Sequence, residues 1–153
     1  MSLTVRRADP DDPALAPVID AHLAHCGDLC PSNHVLGRAG LKAITLFAAY
    51  DDGAPVGIGA LKNLGAGHGE VKSMHTAKAA RGKGVARALL AAIIADAKAE
   101  DMTRLSLETG TDPDFAAARA FYEEAGFDRC PPFATYKNDP ASVFYTCALA
   151  ATA

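Results

Sequence analysis

The 153-residue chain has no tryptophan, its aromatic side chains make up only 7% of the residues, and it carries just four cysteines. So few cysteines in a chain of this length exclude a disulfide-stapled framework and fit a protein that buries its core without covalent help. Positive charge is scarce too. Fifteen Lys and Arg stand against 18 Asp and Glu, a net charge of −3 with none of the basic excess that a nucleic-acid face needs. No nucleic-acid partner is expected. Long apolar runs are also missing: the longest apolar region, residues 88–97, is interrupted by Asp96 and followed by Lys98, well short of the ~18 residues of a membrane span. The opening Met1-Ser2-Leu3-Thr4-Val5-Arg6-Arg7 turns charged at once, unlike a signal peptide. The expectation is a cytoplasmic protein with no membrane partner.

Half of the chain is nevertheless hydrophobic and only 22% is charged, which excludes a disordered polymer. Roughly a fifth of the residues are alanine, so much of that apolar fraction is small. The length suits a single domain spanning residues 1–153.

Periodicity divides the chain into elements. Leu3 and Val5 alternate with polar neighbours as a short strand. Asp9-Pro10-Asp11-Asp12-Pro13 opens a helix carrying Leu15, Val18, Ile19 and Leu23 at helical spacing, ended by Gly27. Residues 28–40 give no regular signal. Ile44 to Tyr50, a turn at Asp51-Asp52-Gly53, and Pro55 to Leu61 form a hairpin. A looser glycine turn, Leu64 to Gly69, leads to a strand over Glu70–Thr76. Val85, Leu89, Leu90, Ile93, Ile94 and Ala97 make one apolar helical stripe. A strand at Arg104–Glu108 follows, then a helix from Asp112-Pro113 to Ala125 stopped by Gly126, then a final strand at Ser142–Leu149. The order β-α-β-β-β-α-β-α-β predicts one α/β domain with a mixed sheet.

The richest chemistry lies between the Glu70–Thr76 strand and the helix that opens at Gly84. The loop reads Lys78-Ala79-Ala80-Arg81-Gly82-Lys83-Gly84-Val85-Ala86. Two glycines permit close backbone approach, and helix N-terminal amides are unpaired at the positive end of the dipole. With Arg81, Lys83 and Arg87 around them, they predict an anion site. It is not a Walker A loop, because Gly84 rather than Ser or Thr follows Lys83. Nor is it a dinucleotide fingerprint, since Arg87 stands where a third glycine belongs.

Arg81-Gly82-Lys83-Gly84-Val85-Ala86 does match Arg/Gln-x-x-Gly-x-Gly/Ala, and Ala118-Arg119-Ala120-Phe121-Tyr122-Glu123-Glu124-Ala125-Gly126-Phe127 matches A-x-x-F/L-Y-x-x-x-G-F. In these motifs and in its element order the chain resembles the GCN5-related N-acetyltransferase (GNAT) superfamily. Leu107-Glu108-Thr109-Gly110 and Pro132-Phe133-Ala134-Thr135-Tyr136 look like a branch of small bacterial acetyltransferases. The resemblance implies a mostly antiparallel mixed sheet flanked by helices, with strands splayed at the coenzyme A site. It implies an acetyl-CoA-dependent N-acetyltransferase using no metal. Its acceptor would be a primary amine of a small molecule, amino acid or peptide, attacking directly within a ternary complex. A catalytically weak acyl-CoA sensor is the alternative, and a homodimer is left open.

Roles follow from the same resemblance. Amides of Arg81, Gly82, Lys83, Gly84, Val85, Ala86 and Arg87 would hold the pyrophosphate; backbone groups of Met74, His75 and Thr76 would hold the pantetheine and thioester carbonyl. Tyr122 matches the general acid that protonates the departing sulfur, with plain aromatic packing as the competing reading. Glu70, eleven residues before Arg81, matches a general-base glutamate; an exposed strand residue answering Lys72 is its competitor. Glu108 and His75 are further candidate bases. One departure stands out: where the family often has Asn, seven residues before the tyrosine, this chain has Phe115, leaving Asp114 to replace the contact. The cluster His22, His25, Cys26, Cys30 and His34 does not have the spacing of a common zinc site and is expected to line the acceptor side. Arg38 and Lys42 hint weakly at an acceptor carboxylate.

Overall fold

The computed structural model describes residues 2–27, 40–41 and 44–150. Cys30, His34, Arg38 and Lys42, and with them most of the irregular 28–40 segment, lie outside the described residues.

The first half is a meander. β1 (Leu3–Arg7) pairs with β2 (Thr45–Asp51), β2 with β3 (Ala54–Gly65), and β3 with β4 (His68–Thr76), all antiparallel. The β2–β3 turn has Asp52 at φ 48° and Gly53 at φ 87°, the left-handed pair that lets a two-residue turn follow the strand twist. α1 (Ala16–Gly27) leaves β1 through a short 3₁₀ turn, whose Asp12 side chain accepts from the Ala14 amide. The second half runs α2 (Val85–Ala99), β5 (Arg104–Gly110), α3 (Ala116–Glu124), β6 (Asp128–Cys130) and β7 (Ser142–Ala148). Among the described residues the strands form one sheet in the order β1-β2-β3-β4-β5-β7-β6, parallel only between β4 and β5.

The β3–β4 turn and one short strand differ most from the sequence reading. β3 continues to Gly65 and β4 starts at His68, so the glycine turn is tighter than Leu64–Gly69. Gly65, Ala66 and Gly67 all have positive φ, which reverses the chain within the turn. β6 was not expected: three residues are too few to show an alternation, and its partner β7 lies more than ten residues on.

Two apolar clusters cover the sheet. Leu15 of the 3₁₀ turn, Val18 and Ile19 of α1, and Leu41 pack with Leu46, Ala48, Tyr50, Ile58 and Ala60. The α2 stripe of Val85, Leu89, Leu90, Ile93 and Ala97 joins Val71, Leu105, Leu107, Tyr122 and Tyr145 in the other cluster. Glycine lets α2 come close: a Cβ at Gly57 would lie 2.7 Å from Val85 Cγ1 and 3.0 Å from the His75 carbonyl oxygen. Among the described residues no helix is long and apolar enough to cross a membrane.

Candidate active site

The cleft arises from a register fact. β4 and β5 pair only over His68–Glu70 and Arg104–Ser106, and from there the two parallel strands continue without pairing. The gap opens into a cavity of about 740 Å³, reached by residues from β4, β5, α1, α3 and the loop before α2.

A bulge in β4 decides which side chains face which way. Lys72 stands opposite Ala60 and His75 opposite Ile58, so three steps on β4 match two on β3. The extra residue is taken up at Ser73, whose φ of 56° is left-handed. Val71 and Met74 therefore both reach the α2 cluster although they are three residues apart. All residues from Glu70 to Thr76 reach the cavity, among them the polar Glu70, Lys72 and His75.

At one end of the cavity lies the loop. Gly82 (φ 77°) and Gly84 (φ 85°) are both left-handed, and a Cβ at either would meet nothing within 4 Å, so space is open over the backbone. Gly84 is the N-cap of α2 and offers no side-chain cap, which leaves the first amides of a 15-residue helix for a ligand. Arg81, Gly82, Gly84, Val85, Ala86 and Arg87 line the cavity, and Lys83 is an exposed residue between the two glycines. Arg81 donates from Nε to the Thr76 carbonyl oxygen (3.4 Å), tying the loop to the end of β4. Met74, His75 and Thr76 line the same cavity. These residues fit the phosphates and pantetheine of a coenzyme A thioester: a dipole-tipped cradle and two arginines, followed by a strand with free edge groups.

Tyr122 reaches the cavity from α3 and is only 5% exposed. Its ring is held edge-on by Phe121 (5.2 Å) and Phe127 (5.7 Å). Burial pushes its hydroxyl pKa well above the ordinary value, so the proton stays on until something in the cavity takes it.

Glu70 is 2% exposed, which overturns the picture of an exposed strand glutamate, although it does answer Lys72. Lys72 Nζ donates to Glu70 Oε2 at 3.1 Å, and Tyr136 Oη donates to the same oxygen at 2.6 Å. Lys72 also donates to Tyr136 Oη at 2.7 Å, closing a ring of three polar groups. Sequence reasoning assigned no role to Tyr136, which sits in an irregular segment outside any periodic element. The signal was the shared polar face of Glu70 and Lys72, which needs a polar partner once buried. Glu108 lines the cavity from β5, and its charge, with that of Glu70 and burial, raises the Tyr136 pKa.

Histidines form the third wall. His75 lies 5.4 Å from His22 and 6.2 Å from His25, ring centre to ring centre, and His25 meets Phe115 edge-on at 5.3 Å. Burial, aided by His22, Arg81 and His25, lowers the His75 pKa from 6.5 to about 4, so its imidazole is neutral at neutral pH. Cys26 Sγ is 3.9 Å from His22 Nδ1. Among the described residues no group of three His, Cys, Asp or Glu side chains is placed to hold a metal ion. Asp114 and Phe115 both line the cavity where the family's asparagine is missing.

A parallel strand pair that splits beside a dipole-tipped loop is the framework of an acyltransferase. The chain belongs to the acetyltransferase (GNAT) family, whose model matches residues 20–127. It is 43% identical over 133 residues, 84% of this chain and 88% of the relative, to a Bacillus subtilis protein named uncharacterized N-acetyltransferase YsnE. A Klebsiella pneumoniae crystal structure, provisionally described as an acyl-CoA N-acyltransferase, is 32% identical with a TM-score of 0.80, covering 96% of this chain and 97% of that one. The PaiA N-acetyltransferase of Thermoplasma acidophilum, solved in complex with coenzyme A, shares the fold at 15% identity and a TM-score of 0.76, covering 97% of this chain and 99% of that one.

Proposed function

We propose that this enzyme transfers an acetyl group from acetyl-CoA to the primary amine of a small molecule, amino acid or peptide, by direct attack within a ternary complex. The observation that carries this reading is the convergence of Glu70, Tyr122 and the Arg81–Arg87 loop on one cavity. In the reaction a neutral amine attacks the thioester carbonyl carbon; a C–N bond forms, the C–S bond breaks, and the amine proton must leave. Glu70 accepts that proton, directly or through a water, and Tyr122 gives its own to the departing thiolate. Backbone groups near Met74, His75 and Thr76, where β4 is paired with β3 but no longer with β5, hold the thioester and polarise its carbonyl; one such donor is worth roughly 3 kcal/mol in comparable sites. His75, with a pKa of about 4, is too weak a base to compete at neutral pH, and its neutral ring does not repel an incoming ammonium. Glu108 and Asp114 are the other carboxylates lining the cavity, and Glu108 is the competing candidate base.

The test is thiol release from acetyl-CoA across a panel of L-amino acids, small primary amines and short peptides, with Tyr122→Phe alongside. At least one amine should accelerate release, and Tyr122→Phe should slow kcat by about 100-fold or more. Coenzyme A binding with no amine-stimulated release on the whole panel would favour an acyl-CoA sensor instead.

A further inference from the structure

We propose that Tyr136 is the positioning residue of the reaction: its hydroxyl, bonded to both members of the Glu70–Lys72 pair, holds the Glu70 carboxylate in working orientation. This rests on the reading of Glu70 as the base.

Glu70 and Lys72 sit two apart on the same face of β4 and are nearly inaccessible, at 3% and 9% side-chain exposure. They form an ion pair, with Lys72 Nζ 3.1 Å from Glu70 Oε2, and Tyr136 bonds to both partners. Its hydroxyl donates to Glu70 Oε2 at 2.6 Å and accepts from Lys72 Nζ at 2.7 Å, so it takes up part of the ammonium and fixes one carboxylate oxygen. Lys72 and Tyr136 both donate to Oε2, so one carboxylate oxygen is fixed from two sides.

The tyrosine is itself held firmly. Its ring meets Phe133 edge-on at 5.2 Å and Phe144 at 5.5 Å, and Lys72 Nζ lies 5.5 Å from the ring centre. Phe144 is paired across the sheet with Glu108, so the aromatic stack that carries Tyr136 is anchored on the strand lining the other side of the cleft. The irregular 131–141 segment thus serves as a brace spanning the β4–β5 split, with one hydroxyl at its tip. The hydroxyl keeps its proton across the working pH range, because burial and two neighbouring carboxylates oppose its ionisation. It remains a donor to Glu70 throughout.

Tyr136→Phe tests this, since it removes only the hydroxyl and leaves the packing ring. Kinetics use the fastest amine of the panel above, and Glu70 is titrated in the full chain by its ¹³Cδ NMR signal, assigned with Glu70→Gln. Loss of a donor from a carboxylate raises its pKa. The Tyr136→Phe variant should therefore show a higher Glu70 midpoint, an acid limb of kcat moved to higher pH, and kcat lowered at least tenfold. KM for acetyl-CoA should stay within about twofold. The double variant with Glu70→Gln should be no slower than Glu70→Gln alone. If Glu70→Gln is slow but Tyr136→Phe retains wild-type kcat or an unmoved Glu70 midpoint, the base stands and the positioning role is overturned. If Glu70→Gln keeps wild-type kcat, the base reading falls and this proposal with it.

Discussion

At Gly84 the backbone sits at φ 85°, a conformation that costs an L-residue about 1–2 kcal/mol, yet a side chain there would touch nothing in the protein. Gly53, Gly65 and Gly126 share that combination elsewhere, but Gly82 and Gly84 have it on the wall of the cavity. Gly84→Val should therefore cost little in packing, lower stability by about 1–2 kcal/mol, and abolish the thermal stabilisation that coenzyme A gives the wild type. Differential scanning fluorimetry with and without coenzyme A reads both effects. At this scale the sequence was most legible where chemistry and backbone geometry coincide, as in Gly82 and Gly84 and the motif tyrosine, Tyr122. It was least legible at Tyr136, whose meaning depends on Glu70 and Lys72, more than 60 residues away in the chain.

The helices followed directly from their apolar stripes, and every residue of the α2 stripe is buried or partly buried in one cluster. Strands were placed well but their irregularities were not. The bulge at Ser73 leaves no mark in the alternation of Val71, Ser73 and Met74, because it consists of a one-residue offset against β3. That offset turns His75 toward α1, where it meets His22 and His25. The docking of α1 on β4 should therefore depend on pH. His75 has a folded pKa of about 4, below its ordinary 6.5, so between those values the unfolded chain binds more protons than the folded one. Its contribution is complete above pH 6.5 and is lost as the pH falls toward 4. Because the ring is partly solvated, a discounted loss of about 1–2 kcal/mol is expected. Urea midpoints at pH 7.5 and pH 5 should show it, and His75→Asn should flatten that part of the dependence.

Across the whole molecule, a chain with a net charge of −3 gathers Arg81 and Arg87 at the N-terminal end of α2, where the helix dipole is also positive. Alanine, common throughout, lies densely along α2 and α3, where small side chains and Gly57 let α2 approach the sheet. Element order and family were readable because they depend on local periodicity and short motifs. The cleft was not readable from residues alone, because it is set by where β4–β5 pairing stops, a property of two strands brought together in space. The central claim is that this cleft takes a coenzyme A thioester with its phosphates on the Gly82–Arg87 backbone. The most direct measurement is the melting temperature of the purified protein with coenzyme A at a hundredfold excess over its dissociation constant. A ligand bound only to the folded state adds about 2.7 kcal/mol, or roughly 5–10 °C for a chain of this size. A rise of that order, lost in Gly84→Val, is the predicted result; an unchanged melting temperature up to millimolar coenzyme A would contradict the account.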